Sequence, residues 1–442
     1  MTNIYPRVLI FGQPFNNYSG GGITLTNLFK GWPKEKIAVA YMGHGLYNVT
    51  TEVCDTYYQL GKEEHEWRFP LNLFQKSFSS GPKTFFPKTE SLSARKQTGV
   101  RNKFVNHFFY PFLRWLGLFH SVSRISLSQN FMKWLTEFRP EILYVQVSSR
   151  ETLLFAIQLI NFLKIPSVNH VMDDWPSTLN EIGVFRNYWL KKIDAELKQF
   201  NDKVNLHFSI SEAMSDEYLK RYGKKFIPFH NPVESTIWLP HVKKSFDINK
   251  KHITILYSGR IGIGISESLV DVASAIDSIN KNEALNIKLH IQTFTKEPGI
   301  LNKLHKFSCI VFNPFAAYEQ LPKIFSEADI LLLANDFSVK GLTYLKFSMP
   351  TKASEYMISG TPVLLYAPKE TAISKVFKQH DCGCCVTERS SVEIINALNF
   401  LINDKNYRKK ISQNAINLAT EKFDQEKVRT EFQRLLMNTS QK

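Results

Sequence analysis

SMPTKASEYMISGTPVLLY, Ser348 to Tyr366, is the stretch on which the reading of the fold turns. Pro350 stands near a helix start, with Ser348 or Thr351 as candidate N-cap, and the pattern predicts a helix to about Ser359. Gly360 ends it, and Pro362 begins the apolar run PVLLY, of strand length. A helix followed at once by a short apolar strand is the unit from which helix-covered parallel sheets are built. Lys352 falls in the first helical turn, where the helix dipole disfavours a cation, and a bound anion would account for it. Glu355, three residues on, shares its face. The alternative is an internal Lys–Glu pair on a solvated helix.

The same alternation extends outward in both directions. Apolar runs recur at RVLIFG (Arg7–Gly12), EILYVQV (Glu141–Val147), ITILY (Ile253–Tyr257) and Ile330–Leu333, with helical patterns such as Ser266–Ile279 and Val392–Ile402 between them. Two sets of strands flank a loop-like stretch from Pro232 to Lys251 that carries NPVE, LPH and clustered lysines. The expected class is α/β with two Rossmann-like domains. The expected divisions are 1–235, with a basic aromatic insertion around 63–130, then 236–420, then a C-terminal helix, 421–442, crossing back to the first domain. A chain of 442 residues is long enough for two such cores.

Charge narrows the partners. The formal net charge is +15, which favours polyanions: nucleotide phosphates, nucleic acid or an anionic membrane surface. No nucleic-acid module is visible, so nucleic acid is not an expected partner. Ser91 to Thr136 contains no Asp or Glu but carries Arg95, Lys96, Arg101, Lys103, Arg114, Arg124 and Lys133. Phe104, Phe108, Phe112, Trp115 and Phe119 recur there at helical spacing, with Pro111 a point of strain. A basic helix with bulky aromatics suits a membrane interface; the plainer alternative is a helix packed on the first sheet with a solvated rim. No apolar run is long enough to span a bilayer and no signal peptide is read, so the expected place is the cytoplasm, with association at the cytoplasmic membrane face. The five cysteines, Cys54, Cys309, Cys382, Cys384 and Cys385, are too few and too uneven for a disulfide framework, and their spacing does not suit zinc.

Two glycine loops follow strands. Gly20, Gly21 and Gly22 open a helical run, ITLTNLFKGW, and such a loop lets backbone N–H groups approach an anion; a tight turn is the alternative. ITILYSGRIGIG ends a strand at Ser258, Gly259 and Arg260, where a forked guanidinium among glycines can clamp a diphosphate. VNHVMDDWP places His170, Asp173 and Asp174 at the end of another apolar strand. The two aspartates are candidates for acceptor hydroxyls, or Asp serves as a helix N-cap.

Taken together, these segments resemble the large retaining GT-B glycosyltransferase family often labelled family four, the group 1 glycosyl transferases. SMPTKASEYMISGTPVLL is similar to the family's donor-site helix, SGR to its strand-end Gly-Arg, and SISEAMSDEYLKRYG with FHNPVE to the run that ends its N-terminal domain. ADILLLAND resembles the strand before the donor helix, and GGG the glycine loop at the donor phosphates. The resemblance implies a GT-B fold, two Rossmann-like domains with a cleft between them. It implies transfer of a sugar, with retention, from a UDP or GDP type nucleotide diphosphate sugar to a saccharide or lipid-linked saccharide, in surface glycan synthesis. It needs no cofactor and no metal. Arg260 and Lys352 would meet the diphosphate, Glu355 the ribose, His170 the reacting sugar, and Gly20, Gly21, Gly22, Gly259, Ser348 and Thr351 would complete the donor site. Two departures stand out. Phe347 occupies the position, eight before Glu355, where many members carry a second Glu, and IGIGISES lacks the family's Lys beyond the diphosphate Arg. A nucleotide-sugar epimerase and a noncatalytic GT-B-like binding subunit are the rival readings.

Overall fold

The computed structural model describes residues 5–42, 46, 49–69, 71–75, 78–83, 85, 108–179, 182–283, 285–295 and 297–441. The expected helix positions at Arg95, Lys96, Arg101, Lys103 and Phe104 lie outside the described residues. The chain divides into two compact units: Met1–Ser209 with Ser215–Phe229 and Glu431–Lys442, and Ile210–Met214 with His230–Thr430.

The first unit is built on β1 (Val8–Phe11), β2 (Ile37–Met42), β3 (Tyr57–Leu60), β4 (His65–Trp67), β5 (Gly81–Lys83), β6 (Ser123–Ile125), β7 (Ile142–Val145), β8 (Ser167–Val171), β9 (Leu206–Ser209) and β10 (Ile227–Pro228). Eight of these form one sheet in the order β10-β9-β8-β7-β1-β2-β3-β5, parallel except for β5; β4 and β6 pair separately. Val8 pairs with Ile37 on one side and Ile142 on the other. VLIF of β1 is buried throughout, as expected of a strand covered on both faces by helices. Helix Arg150–Leu163 starts on a capping box between Ser149 and Thr152. The end of the last helix, Gln425–Ser440, belongs to this unit: Phe432 is fully buried, its ring 5.2 Å from Phe29 and 5.4 Å from Phe208.

The second unit holds β11 (Ile253–Ser258), β12 (Ile287–Gln292), β13 (Ile310–Asn313), β14 (Ile330–Ala334), β15 (Val363–Tyr366) and β16 (Cys384–Val386). They form an all-parallel sheet in the order β13-β12-β11-β14-β15-β16. Helix Ser266–Glu283 buries Leu269, Val272, Ile276 and Ile279 at helical spacing, and helix Ser391–Asn403 buries Ile394, Leu398 and Leu401 in the same core. Helix Lys352–Ile358 stops before Gly360, whose φ of +70° is the left-handed value glycine adopts freely. Cys309, Cys382 and Cys384 are buried thiols, and burial pushes Cys384 up to about 11.

Candidate functional site

In the second sheet the chain leaves β11 toward β12 on one side and reaches β14 on the other. The carboxyl ends of β11 and β14 therefore flank a topological switch point, where open α/β sheets bind ligands. Ser258 closes β11, donating its N–H to the Tyr356 hydroxyl at 2.8 Å and its own hydroxyl to Gln292 Oε1 at 3.0 Å. Tyr356 thus fastens helix Lys352–Ile358 to the strand end. Gly259 follows with φ +146°, and a Cβ there would lie 3.0 Å from Lys352 Nζ. The Tyr257 hydroxyl donates to Arg260 O at 2.6 Å and sets the turn of the loop.

Lys352 points into this turn. Its Nζ lies 3.6 Å from the Tyr257 ring centroid, is buried, and has no hydrogen-bond or ion-pair partner among the described residues. Burial, with the Arg260 charge adding to it and Glu355 opposing, holds the ammonium down at about 7. Burial pushes the Glu355 carboxyl up to about 7, against the pull of Lys352. The expected shared face is therefore felt through the field: no Lys352–Glu355 ion pair within 4 Å occurs among the described residues, because the ammonium turns toward the aromatic ring instead. Arg260 is exposed, with its guanidinium 5.8 Å from the Tyr344 ring centroid and no ion pair among the described residues. At the end of β14, Asn335 is buried and its Nδ2 has no partner among the described residues. Buried donors without partners are rare in native proteins and mark places where another group binds.

Neither expected cap is a cap. Thr351 precedes the helix with φ −53° and ψ −39°, already helical, and no side chain caps the first turn. With Thr351 itself in a helical conformation, the position lacks the extended backbone that a cap requires. Ser348 reaches back to Tyr344 O at 3.5 Å, and Thr351 O accepts from Asn231 Nδ2 at 3.3 Å. Phe347 is buried, its carbonyl accepting from the Ser211 hydroxyl at 2.7 Å and its ring 5.1 Å below Lys346 Nζ.

The first unit has a switch point of its own, between β1 and β7. The loop after β1 enters helix Gly20–Phe29, where the Ser19 hydroxyl accepts from Gly22 N at 3.1 Å. Asn16 Oδ1 in turn accepts from Ser19 N at 2.9 Å and from the Ser19 hydroxyl at 2.8 Å. A Cβ on Gly22 would stand 2.3 Å from the Asn16 side chain, and one on Gly21 3.0 Å from Gln13 Oε1. Gly22 is thus required by the loop's own packing.

Burial qualifies two expectations for this unit. His170 is the penultimate residue of β8, at the strand end as expected, but it is 1% exposed, with β7 and β9 paired on either side. Its Nδ1 bonds the Tyr144 hydroxyl, Phe208 meets its ring edge-on, and burial holds it down at about 3, so it stays neutral. Asp174 is 3% exposed and accepts from Tyr218 OH at 3.0 Å and from Arg221 Nη1 and Nη2 at 2.9 and 3.1 Å. It precedes the 3₁₀ turn Trp175–Thr178 without capping it, because the carboxylate is committed to Arg221. Asp173 is exposed.

Sequence reasoning missed Tyr257, Asn335 and an exposed aromatic pair, Phe294 and Phe315, whose rings lie 5.5 Å apart just past the carboxyl ends of β12 and β13. Their signal was position: each immediately precedes or follows a strand end on the edge that carries Arg260.

Comparison with known proteins fits this geometry. Residues 240–418 match the family described as Glycosyl transferases group 1. Among solved structures, Anabaena HepE in complex with UDP and glucose is similar at 12% identity, covering 98% of this chain and 100% of that one with a TM-score of 0.60. Sucrose-phosphate synthase from Thermosynechococcus elongatus is similar at 11% identity, 98% of each chain and a TM-score of 0.60. The E. coli trehalose-6-phosphate protein bound with UDP-2-fluoro glucose is similar at 12% identity, 98% and 99% of the chains and a TM-score of 0.59. No curated protein matches by sequence. The fold is that of the GT-B glycosyltransferases, and the stretch that matches the group 1 family lies in the second unit.

Proposed function

We propose that the protein is a retaining glycosyltransferase that moves a sugar from a nucleotide diphosphate sugar to a saccharide or lipid-linked saccharide, in surface glycan synthesis. The observation that carries this reading is Lys352: a buried ammonium with no hydrogen-bond partner of its own, beside Arg260, at a switch point. Two cations without a resident counter-anion form a socket for a diphosphate, and a bound diphosphate restores the proton that burial pulls from Lys352. UDP is the favoured nucleotide, since the similar structures named above include complexes with UDP and a UDP-sugar. Glu355 and Asn335 offer the polar contacts for the ribose and sugar, and Phe294 with Phe315 an apolar ledge on the same edge of the sheet.

As the bond to the anomeric carbon breaks, negative charge grows on the leaving phosphate oxygen. In this reading Arg260 and Lys352 meet that charge, and a fixed donor of this kind contributes about 3 kcal/mol. The acceptor hydroxyl attacks from the face the leaving group departs, and the phosphate takes its proton. The step needs no divalent metal, because side-chain cations meet the charge. Asp174 is committed to Arg221 and His170 is buried beside Tyr144, so neither is assigned a part in it. Asp173 is the remaining acceptor-side candidate.

Calorimetry with UDP and GDP against the wild type and Lys352→Ala tests this. Micromolar binding of one nucleotide, lost in the variant, supports the donor site. No binding of either by the wild type defeats it. Incubation with the sugar nucleotide alone separates the epimerase reading, which requires an epimer without acceptor. Phe347 in place of the family's second Glu gives the noncatalytic reading its footing; tight nucleotide binding without turnover over any acceptor would establish it.

A further inference from the structure

The first unit presents a further surface that the donor-site residues do not include. Phe108, Phe112 and Trp115 lie on its surface from one segment, and Val184, Phe185 and Tyr188 from another; Phe108 is 67% exposed and Val184 88%. The two segments are locked into one surface. The Trp189 indole N–H donates to Gly117 O at 2.8 Å. Gly117, at φ +69°, has the Phe185 ring 2.5 Å from where a Cβ would be, and Gly183, at φ +82°, has Trp115 O at 2.5 Å. Any larger residue at either glycine would force the segments apart.

The charge around these rings has one sign. Neither 91–136 nor 182–193 contains an Asp or Glu, while Arg114, Arg124, Arg186, Lys191 and Lys192 border the rings. Beside them a cavity of about 380 Å³ is lined by Arg68, His120, Arg124, Arg150, Tyr188 and Lys192 among others. Glu151 also lines it and lies 2.9 Å from His65 Nε2, Glu196 is forked to Arg150 at 2.6 Å, and Glu66 stands opposite Arg124 in the β4–β6 ladder. Arg68 and Arg124 have no ion pair among the described residues, and Phe69 stands 80% exposed beside Arg68.

Aromatic side chains at the surface, a rim in which cations outnumber acids, and a basic pocket at the edge are together complementary to an anionic bilayer. Rings of this kind settle at the headgroup boundary, and cations gain from the negative surface potential. We propose that this face docks on an anionic lipid bilayer, with the Arg68–Arg124–Lys192 pocket receiving a lipid phosphate. The contact is peripheral: no helix among the described residues is long and apolar enough to cross a membrane. It does not depend on the nucleotide site, so the two readings fail separately.

The test is flotation of the full chain with vesicles of phosphatidylcholine alone and of phosphatidylcholine mixed with phosphatidylglycerol, at low and high salt. The expected result is binding to the anionic vesicles that weakens with salt, with quenching of tryptophan fluorescence by lipids brominated in the acyl chain. Phe112→Ser with Trp115→Ser should cut the bound fraction and the quenching about tenfold, and Arg68→Gln with Arg124→Gln should remove the preference for anionic vesicles. Thermal melting and nucleotide affinity of both variants should match the wild type, so that misfolding is distinguished from lost docking. Equal binding to both vesicle types, or binding untouched by both variants, overturns the proposal. So does a self-association, abolished by the Phe112 and Trp115 changes, in a protein that ignores vesicles.

Discussion

The two units place loops at equivalent points of similar sheets, yet the charges at those points are handled in opposite ways. At the first unit's strand ends, the charged and most polar groups are consumed within the fold, although His170 Nε2 keeps no hydrogen-bond partner among the described residues. Asp174 is forked to Arg221, Asn16 is tied to Ser19, and His170 is held neutral against Tyr144. At the second unit's strand ends, Arg260 has no ion pair among the described residues, and Lys352 Nζ and Asn335 Nδ2 are buried without hydrogen-bond partners there. A shared topology therefore offers two ligand positions; the first leaves only neutral groups such as His170 Nε2 without a hydrogen-bond partner among the described residues, and the second leaves a cation so. The incompleteness costs folding free energy, since a buried ammonium without a partner is destabilising. That cost is intelligible where a ligand supplies the missing anion.

The sharpest way to break this contrast is Asp174→Ala. It leaves Arg221 facing a partly buried gap, and thermal unfolding should show a loss of about 3–5 kcal/mol with nucleotide affinity unchanged. A loss of affinity with stability intact would make Asp174 part of a ligand site. Lys352→Ala is the mirror experiment. Transfer should slow by about a hundredfold to a thousandfold, while the melting temperature holds or rises because an unpaired buried charge is gone. A stability loss without a kinetic effect would return Lys352 to an ordinary structural role.

Glycine substitutions sharpen the contrast on the other side. Gly22→Ala should cost about 1–3 kcal/mol, since Asn16 must leave its bonds to Ser19 to admit the methyl group. Gly21→Ala meets only the flexible end of Gln13 and should be nearly neutral in stability. A transfer rate lowered by Gly21→Ala at unchanged stability would show that the loop itself approaches the donor phosphates.

The smallest effect is a proton count. Lys352 titrates at about 7 in the free protein, so above that pH it is mostly neutral, and a bound diphosphate raises its pKa. Glu355, pushed up to about 7, is mostly ionised above that pH and repels the same anion. Both signs agree: affinity should fall as pH rises through about 7, and binding at pH somewhat above 7 should take up a fraction of a proton. Calorimetry in two buffers of different ionisation enthalpy measures this. Proton release, or none, would mean that Lys352 does not face the anion.

Much of this was legible in the linear chain. The alternation of apolar runs and helical patterns announced parallel sheets, because a strand buried on both faces must be apolar throughout. Gly360 and Pro362 marked the helix end from backbone sterics alone, and Arg260 and Lys352 stood out as cations at a strand end and in a first helical turn. These are local statements, and local chemistry determines them. The role of His170 was decided by β7, β9 and Tyr144, which surround it in the sheet, and that of Asp174 by Arg221, 47 residues away in the chain. The failure of Thr351 to cap its helix rests on its own backbone, already helical at φ −53° and ψ −39°. The exposed rings on the first unit were half visible: Phe112 and Trp115 could be read at helical spacing, but Val184 and Phe185 join them only through Gly117 and Gly183. Sequence by itself determined which residues carry charge and the order in which strands and helices alternate. The tertiary structure alone decided which of those charges find partners, because pairing and burial belong to groups brought together across the chain.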